Sequence, residues 1–191
     1  SEVGVASLDN PNSKKRKIGS IGENLKGVTI KLFKNKNKVL SDNTIGEIGI
    51  KTPAIFSGYI PNKKINFLKN KGYFMSGDLA VKKDKHFFFI DRSKDLIIKG
   101  GVNISPQEID DCLNSNNKVF ESASISKQDN FFGEDIKSYV VLKNGYKAKK
   151  DELMNFCKKK IGQYKTPSEI VFVKQLPKTA SGKILKRLLK D

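Results

Sequence analysis

The strongest constraint on the fold is a change of pattern at Asp91-Arg92-Ser93-Lys94-Asp95-Leu96-Ile97-Ile98-Lys99-Gly100-Gly101. Five residues, four of them charged, run into a short apolar strand that ends on two glycines. Upstream, strand-like runs are broken by turns. Downstream, strands alternate with amphipathic helices. A chain that changes period at a charged segment reads as two units joined there, because a boundary or hinge suits solvated residues. The glycines permit a backbone path that other residues resist. The same stretch also fits an ordinary strand entering a hairpin.

On the upstream side, Gly27-Val28-Thr29-Ile30-Lys31-Leu32-Phe33 alternates as a strand with one buried face does. Ile45 to Ile50 reads as its returning partner. Residues 61–70, with Ile65, Phe67 and Leu68, read as a short helix, and His86 to Ile90 as a buried strand. Residues 1–17 read as an ordered loop or a frayed terminus. The first ninety residues are therefore expected to be mostly β, a small barrel or sandwich. Downstream, Ser105 is an N-cap, with Pro106 in the first helical position and Glu108 three residues after the cap. Ile109, Cys112 and Leu113 share one helical face. Strands are expected over 120–126 and 136–142, joined by a turn at 130–134. A second helix over 151–161 turns Leu153, Met154, Cys157 and Ile161 inward, and 170–173 is a further strand. Ile184, Leu185, Leu188 and Leu189 form an apolar stripe on an expected basic C-terminal helix. The fold class is α+β: a small β-rich unit over 1–91, then a small α+β unit over 92–191.

Composition narrows the function. The 191 residues suffice for one large domain or two small ones. No apolar run is long enough for a membrane span. The start, Ser1-Glu2-Val3-Gly4, lacks the basic and apolar regions of a signal peptide. It is not Met, and a piece cut from a larger protein is expected. Cys112 and Cys157 both fall in helices, so a disulfide framework is not expected and a reducing, cytoplasmic setting is. The net charge of +17 raises nucleic-acid or anionic-membrane binding. The lysines, however, are spread from Lys14 to Lys190 with no nucleic-acid motif among them, as on a solvated Lys- and Asn-rich surface. His86 is the single histidine and stands in an apolar strand, which gives it a structural role; no metal-ligand spacing exists.

Three segments can carry chemistry. In Leu176-Pro177-Lys178-Thr179-Ala180-Ser181-Gly182-Lys183-Ile184, the Gly182-Lys183 pair invites comparison with a phosphate-binding P-loop. That motif needs Gly at 177 and Ser or Thr at 184, where Pro and Ile stand, so it is rejected. What remains is a lysine at the tip of a small-residue loop, able to enter a crowded site and meet a phosphate or carboxylate oxygen. It also fits a solvated lysine at a helix start. In Ser76-Gly77-Asp78, the carboxylate can accept a ligand's hydroxyls or cap a turn. Arg92 offers planar, multidentate donation; alternatively it pairs at the surface with Asp91 or Asp95.

Taken in order, Gly19 to Gly27, Gly46-Glu47-Ile48-Gly49, Gly58-Tyr59, Gly72-Tyr73-Phe74-Met75-Ser76-Gly77-Asp78, Asp91 to Asp95, Gly100 to Ile109 and Leu176 to Lys183 resemble the later core motifs of the adenylate-forming superfamily. That superfamily holds acyl-CoA synthetases, peptide-synthetase adenylation domains and firefly-type luciferases. Each motif is weak; the ordered set is not. The Gly-Gly-Val-Asn-Ile-Ser-Pro-Gln-Glu-Ile run and the hinge lysine look most like acyl-CoA synthetases.

The resemblance implies roles residue by residue. Asp78 would hold the ribose hydroxyls of ATP and of the acyl-adenylate, and Arg92 would contact the same nucleotide. Lys94 would be the hinge about which the C-terminal domain rotates between half-reactions. Gly100 and Gly101 would line the CoA pantetheine channel, and Lys183 would bridge the carboxylate and the α-phosphate. The substrates implied are a carboxylic acid, ATP with Mg2+, and CoA, in fatty-acid or related metabolism. A carrier protein in place of CoA is the alternative acceptor, and a non-catalytic anion- or nucleic-acid-binding module is a second alternative. The superfamily's upstream Ser/Thr/Gly-rich phosphate loop and Tyr-Gly-x-Thr-Glu-like stretch do not occur in this chain. These residues alone are therefore expected to be inactive, with the metal ligands elsewhere.

Overall fold

The computed structural model describes residues 2–12, 14, 16–34, 38–58 and 72–189. The short helix expected over 61–70 lies outside them. The chain divides into two compact units, Ser1–Lys94 and Asp95–Asp191. The expected boundary after residue 91 thus falls after Lys94. Arg92 stays with the first unit because it ends a strand there, and the Ser93 N–H donates to the Gly77 carbonyl at 2.8 Å.

In the first unit, β1 (Ser7–Leu8) and β2 (Glu23–Asn24) pair antiparallel as a short ladder. The main sheet contains β3 (Thr29–Lys34), β4 (Lys38–Val39), β5 (Ile45–Lys51), β6 (Phe74–Lys83) and β7 (His86–Arg92), ordered β4-β3-β5-β6-β7 and antiparallel throughout. Beyond β7 the pairing continues: the Ile21 N–H donates to the Phe87 carbonyl at 2.8 Å and the Phe87 N–H to the Gly22 carbonyl at 3.4 Å, which ties the β1–β2 ladder to the main sheet. Ile30, Leu32, Ile48, Ile50, Ala80 and Phe87 form the core on one face. The alternation in β3 and β5 produces that face, since side chains two apart point the same way. Val3, Ala6 and Val28 pack against it, and the Phe56 N–H donates to the Glu2 carbonyl at 2.8 Å, so the N-terminal residues form part of the packed unit.

The second unit contains β8 (Ile97–Lys99), β9 (Val102–Ile104), α1 (Pro106–Asn114), β10 (Val119–Asp129), β11 (Gly133–Leu142), α2 (Lys150–Ile161) and β12 (Glu169–Phe172). The sheet runs β10-β11-β8-β9, and β12 joins β11 in parallel. The α1 start follows the expected chemistry: the Ser105 hydroxyl accepts the Glu108 N–H, and Pro106 opens the helix. Acidic residues in the first turn of α2 and lysines in its last turn suit the helix dipole. Successive residues of β11 face opposite cores. Ile136 and Val140 meet Ile109, Leu113, Leu153 and Cys157 from the helices. Tyr139 and Val141 meet Leu176 and Leu189 from the C-terminal segment. Sheet and covering elements thus form the layered arrangement that buries both sheet faces.

One expectation is corrected here. The C-terminal helix is only a 3-10 turn, Lys186–Leu188. A bridge between Lys178 and Ile184, and the Leu185 N–H donating to the Pro177 carbonyl at 2.8 Å, hold the chain back against 177–178 up to Leu185. Leu189 is already buried, with its carbonyl accepting the Tyr139 hydroxyl at 2.9 Å. Too few residues remain between these anchors for a helix. His86 is buried in the first unit, 3.7 Å from a Glu23 carboxylate oxygen. No helix among the described residues is long and apolar enough to cross a membrane.

Candidate functional site

Three segments carry the sequence-derived candidates, one in the first unit and two in the second. In the first unit, Asp78 on β6 stands directly opposite Arg92 on β7. The Arg92 Nε lies 3.3 Å from an Asp78 carboxylate oxygen, with both side chains partly exposed. The guanidinium therefore pairs across the sheet rather than with its sequence neighbours; the Asp91 carboxylate instead accepts the Arg92 backbone N–H at 2.8 Å. Gly77 makes this local path, at φ +77°. Its N–H donates to the Glu47 carboxylate at 3.1 Å, and the Ser76 hydroxyl accepts the Asp78 N–H at 3.0 Å. These bonds fix the backbone on both sides of Asp78 and leave an anionic acceptor beside a multidentate cationic donor. Lys94 is exposed in a turn at the end of the unit.

In the second unit, Lys99 and Val102 face each other across β8 and β9, so Gly100-Gly101 is a two-residue hairpin turn. Both glycines have positive φ, +52° and +81°, as this type of turn requires. The turn is braced from below. The Gly100 N–H donates to the Phe132 carbonyl at 2.9 Å, and the Tyr164 hydroxyl donates to the Lys99 carbonyl at 2.6 Å. The buried Lys99 ammonium meets the buried Asp135 carboxylate at 2.6 Å and lies 5.1 and 5.4 Å from the Phe132 and Tyr164 ring centres. The β10–β11 turn is itself fixed by Asp129, whose carboxylate accepts the Phe132 and Phe131 N–H groups; these bonds hold its pKa below the usual carboxylate value. A Cβ on Gly100 would stand 2.8 Å from the Tyr164 hydroxyl, whereas one on Gly101 would meet nothing within 4 Å. The hairpin thus has one glycine pressed onto its support and one facing open space.

The third segment is the Lys183 loop. The Thr179 N–H donates to the Lys183 carbonyl at 2.9 Å, and the Gly182 N–H returns to the Thr179 carbonyl at 2.9 Å. The Thr179 hydroxyl accepts the Lys183 N–H at 3.1 Å and lies 2.9 Å from the Ser181 hydroxyl. Gly182, at φ +84°, permits the reversal. Lys183 is exposed at the end of this closed loop. It does not precede a regular helix, as its position had suggested. A preformed loop carrying a mobile ammonium can place positive charge between two anions at little ordering cost.

Sequence reasoning named Asp78, Arg92, Gly100, Gly101 and Lys183 but missed their supports. Asp135, Phe132 and Tyr164 come from elements far along the chain, and no local pattern marks them. Asp110 had a signal. It lies in α1 beside Ile109, three residues before Leu113, on a helix that buries that side. Burial pushes its carboxyl up to about 6, against the opposing pull of Lys186 and the Ser124 N–H. Cys112 and Cys157 meet in the same core. Burial raises the first thiol's pKa and pushes the second up to about 12, so neither is a thiolate near neutrality. Among the described residues no group of three His, Cys, Asp or Glu could hold a metal ion.

Comparison with known proteins agrees with the sequence resemblance. Residues 108–183 match the family described as the AMP-binding enzyme C-terminal domain. The chain is 36% identical over 181 residues to oxalate–CoA ligase of Saccharomyces cerevisiae, covering 93% of the chain and 33% of that enzyme. It is 40% identical over 147 residues to a long-chain-fatty-acid–CoA ligase of Bacillus subtilis, covering 75% of the chain and 26% of that enzyme. Its fold superposes on ATP-bound MatB from Rhodopseudomonas palustris with a TM-score of 0.89 and 30% identity, over 98% of the chain and 38% of MatB. The chain spans about a third of the length of the curated relatives it matches.

Proposed function

The chain carries an AMP-binding enzyme C-terminal domain and corresponds to the C-terminal portion of an adenylate-forming enzyme, and from that premise we propose that it serves an AMP-forming acid–CoA ligase. In the first half-reaction a carboxylate oxygen attacks the α-phosphorus of ATP. The bond to pyrophosphate breaks, pyrophosphate leaves, and acyl-AMP forms. In the second, the CoA sulfur attacks the acyl carbon, AMP leaves with the bonding pair, and the thiol proton passes to solvent. The first step brings two anions together, so a cation between them offsets repulsion and stabilises charge at phosphorus. Lys183 has that role in this reading. Asp78 accepts the ribose hydroxyls, Arg92 donates to the nucleotide, and the Gly100-Gly101 turn faces the pantetheine arm. Lys94 is the pivot that exchanges Lys183 for the Gly100-Gly101 face between steps.

The observation that carries the reading is the Lys183 loop: an exposed lysine on a preformed turn of small residues, inside the matched family region. Among the described residues no group of three His, Cys, Asp or Glu fits a bound metal. Mg2+ would accompany ATP and be held by protein outside this chain. The CoA-ligase relatives support CoA as acceptor, and the ATP-bound structural relative supports ATP as the activating substrate.

The test is an acceptor assay on the complete polypeptide that contains this sequence. Carboxylic acids are screened by pyrophosphate release, then free CoA and a phosphopantetheinylated carrier protein are compared as acceptors. Acyl-CoA formation supports the proposal. Transfer to the carrier alone moves the protein to the carrier-loading class. Absence of pyrophosphate release, with salt-sensitive RNA or DNA binding, would instead favour a nucleic-acid-binding module.

A further inference from the structure

The Lys183 loop is closed on itself by its own hydrogen bonds, but those bonds do not fix where the loop stands on its domain. Leu176, Ile184 and Leu189 seat its flanks on the sheet, and two ion pairs, one on each side of the loop, add charged anchors nearer to it. Before the loop, the Lys178 ammonium meets the Glu121 carboxylate at 2.6 Å. After it, the Lys186 ammonium meets the Asp110 carboxylate at 2.8 Å. Lys178 lies five residues before Lys183 and Lys186 three residues after it. Glu121 belongs to β10 and Asp110 to α1, two elements that also flank the unit's helical core.

Both carboxylates are well held. Asp110 is buried and also accepts the Ser124 N–H at 2.6 Å. The Glu121 side chain is 17% exposed. The lysines reach them from the rim with 37% and 26% of their side chains exposed. A lysine stem gripping a recessed carboxylate is a directional anchor, stronger than a pair of freely solvated charges. Asp110 also has a cost: burial disfavours its ionised form, which is the form that holds Lys186. A buried carboxylate that weakens the fold near neutrality is better explained by what it positions than by stability.

We infer that Asp110 and Glu121 are positioning residues for Lys183: acting through Lys186 and Lys178, they clamp the loop from both sides and fix the point from which the Lys183 side chain reaches out. The inference rests on the role given to Lys183 under Proposed function, and deepens it by naming what aims the lysine. In a reaction where the cation must sit between two anions, a loop free to rock would keep the charge but lose its placement. Small displacements of that kind reduce rate with little change in binding.

The first test is backbone 15N relaxation on the 191-residue chain, comparing wild type with Asp110→Asn, Glu121→Gln and the double variant. The expected result is a fall in order parameter over residues 180–183 in the double variant, from the rigid range near about 0.85 to below about 0.6. The amides of Val140 and Leu153 should keep their wild-type values. Unchanged order parameters at 180–183 overturn the clamp. Equal loosening at Val140 and Leu153 also overturns it, because the variants would then be disrupting the whole unit. Exchanging the charges of one pair, Glu121→Lys with Lys178→Glu, should restore the wild-type order parameter in a way that neither single change does.

The second test uses the complete polypeptide. The double variant should lose about tenfold in the adenylation rate constant with KM for acid and ATP nearly unchanged, and thioester formation from supplied acyl-adenylate should be spared. If the loop loosens and adenylation is unimpaired, the clamp stands as structure and the role assigned to Lys183 fails. If the loop is unmoved, the clamp fails whatever the assay of Lys183 itself returns.

Discussion

Gly100→Ala and Gly101→Ala look alike in sequence and should differ sharply in effect. At Gly100 an added Cβ stands 2.8 Å from the Tyr164 hydroxyl and 3.2 Å from a Phe132 ring carbon, at φ +52°. The left-handed backbone costs an L-residue about 1–2 kcal/mol. Relief of the contact requires the Tyr164 hydroxyl to leave the Lys99 carbonyl, to which it donates at 2.6 Å. Losing that bond costs about 1 kcal/mol more. Gly100→Ala should therefore destabilise the second unit by about 2–3 kcal/mol. Gly101→Ala, at φ +81° with nothing within 4 Å of its Cβ, should show only the backbone share. Tyr164→Phe removes the clashing oxygen together with its bond, so it should cost about 1 kcal/mol alone. Combined with Gly100→Ala it should cost less than the sum, by about 1 kcal/mol. Native-state hydrogen exchange at slow amides of β11 and α2 reads the stability of this unit separately from the first. Gly101→Ala costing as much as Gly100→Ala, or strict additivity with Tyr164→Phe, would refute the argument that Gly100 is pressed onto Tyr164.

Asp110 should give the second unit a pH dependence of unusual sign. Its folded pKa of about 6 lies above the ordinary 3.8, so the folded state holds the proton longer than the unfolded chain does. Its contribution to stability therefore falls as pH rises from about 4 to about 6 and is level above that, by an amount on the order of 3 kcal/mol for a shift of about two units. Asp110→Asn should flatten this limb, measured by urea unfolding at pH 4 and pH 7; parallel profiles for variant and wild type would contradict it. For the hinge, Lys94→Pro in the complete polypeptide should slow thioester formation more than adenylation, because fixing φ there restricts rotation. Unchanged rates in both half-reactions would remove Lys94 as the pivot.

How far the fold was legible in the sequence depends on the range of the interaction that decides each element. The α1 start was readable because Ser105, Pro106 and Glu108 act within one turn. The alternation of Thr29 to Phe33 and the apolar face of Leu153 and Cys157 were readable for the same reason: periodicity is local. The C-terminal helix was misread because its stripe, Ile184 to Leu189, is apolar for another purpose. Leu189 fills the core beside Tyr139, and Pro177 and Lys178 draw Ile184 and Leu185 into backbone bonds that no helix allows. In the first unit β3, β5 and β7 were readable, whereas the ten-residue β6 that carries Asp78 was not, since its pairing with both neighbours is a long-range fact. The candidate site divides along the same line. Gly100-Gly101 and Lys183 stand out in short motifs. The residues that hold them, Asp135 and Tyr164 for the hairpin and Asp110 and Glu121 for the loop, lie between 36 and 76 residues away from their partners in sequence and became visible only as contacts.

The central claim is that Lys183 serves adenylation and leaves thioester formation to another face of the same domain. The most direct measurement is a pair of single-turnover rates for Lys183→Ala in the complete polypeptide, one from acid and ATP to acyl-adenylate, the other from supplied acyl-adenylate and CoA to thioester. Removing one preorganised charge from a transition state costs about 10²–10³ in rate. The account predicts a loss of that size in the first rate and a second rate within about twofold of wild type. Equal losses in both, or an intact first rate, would contradict it.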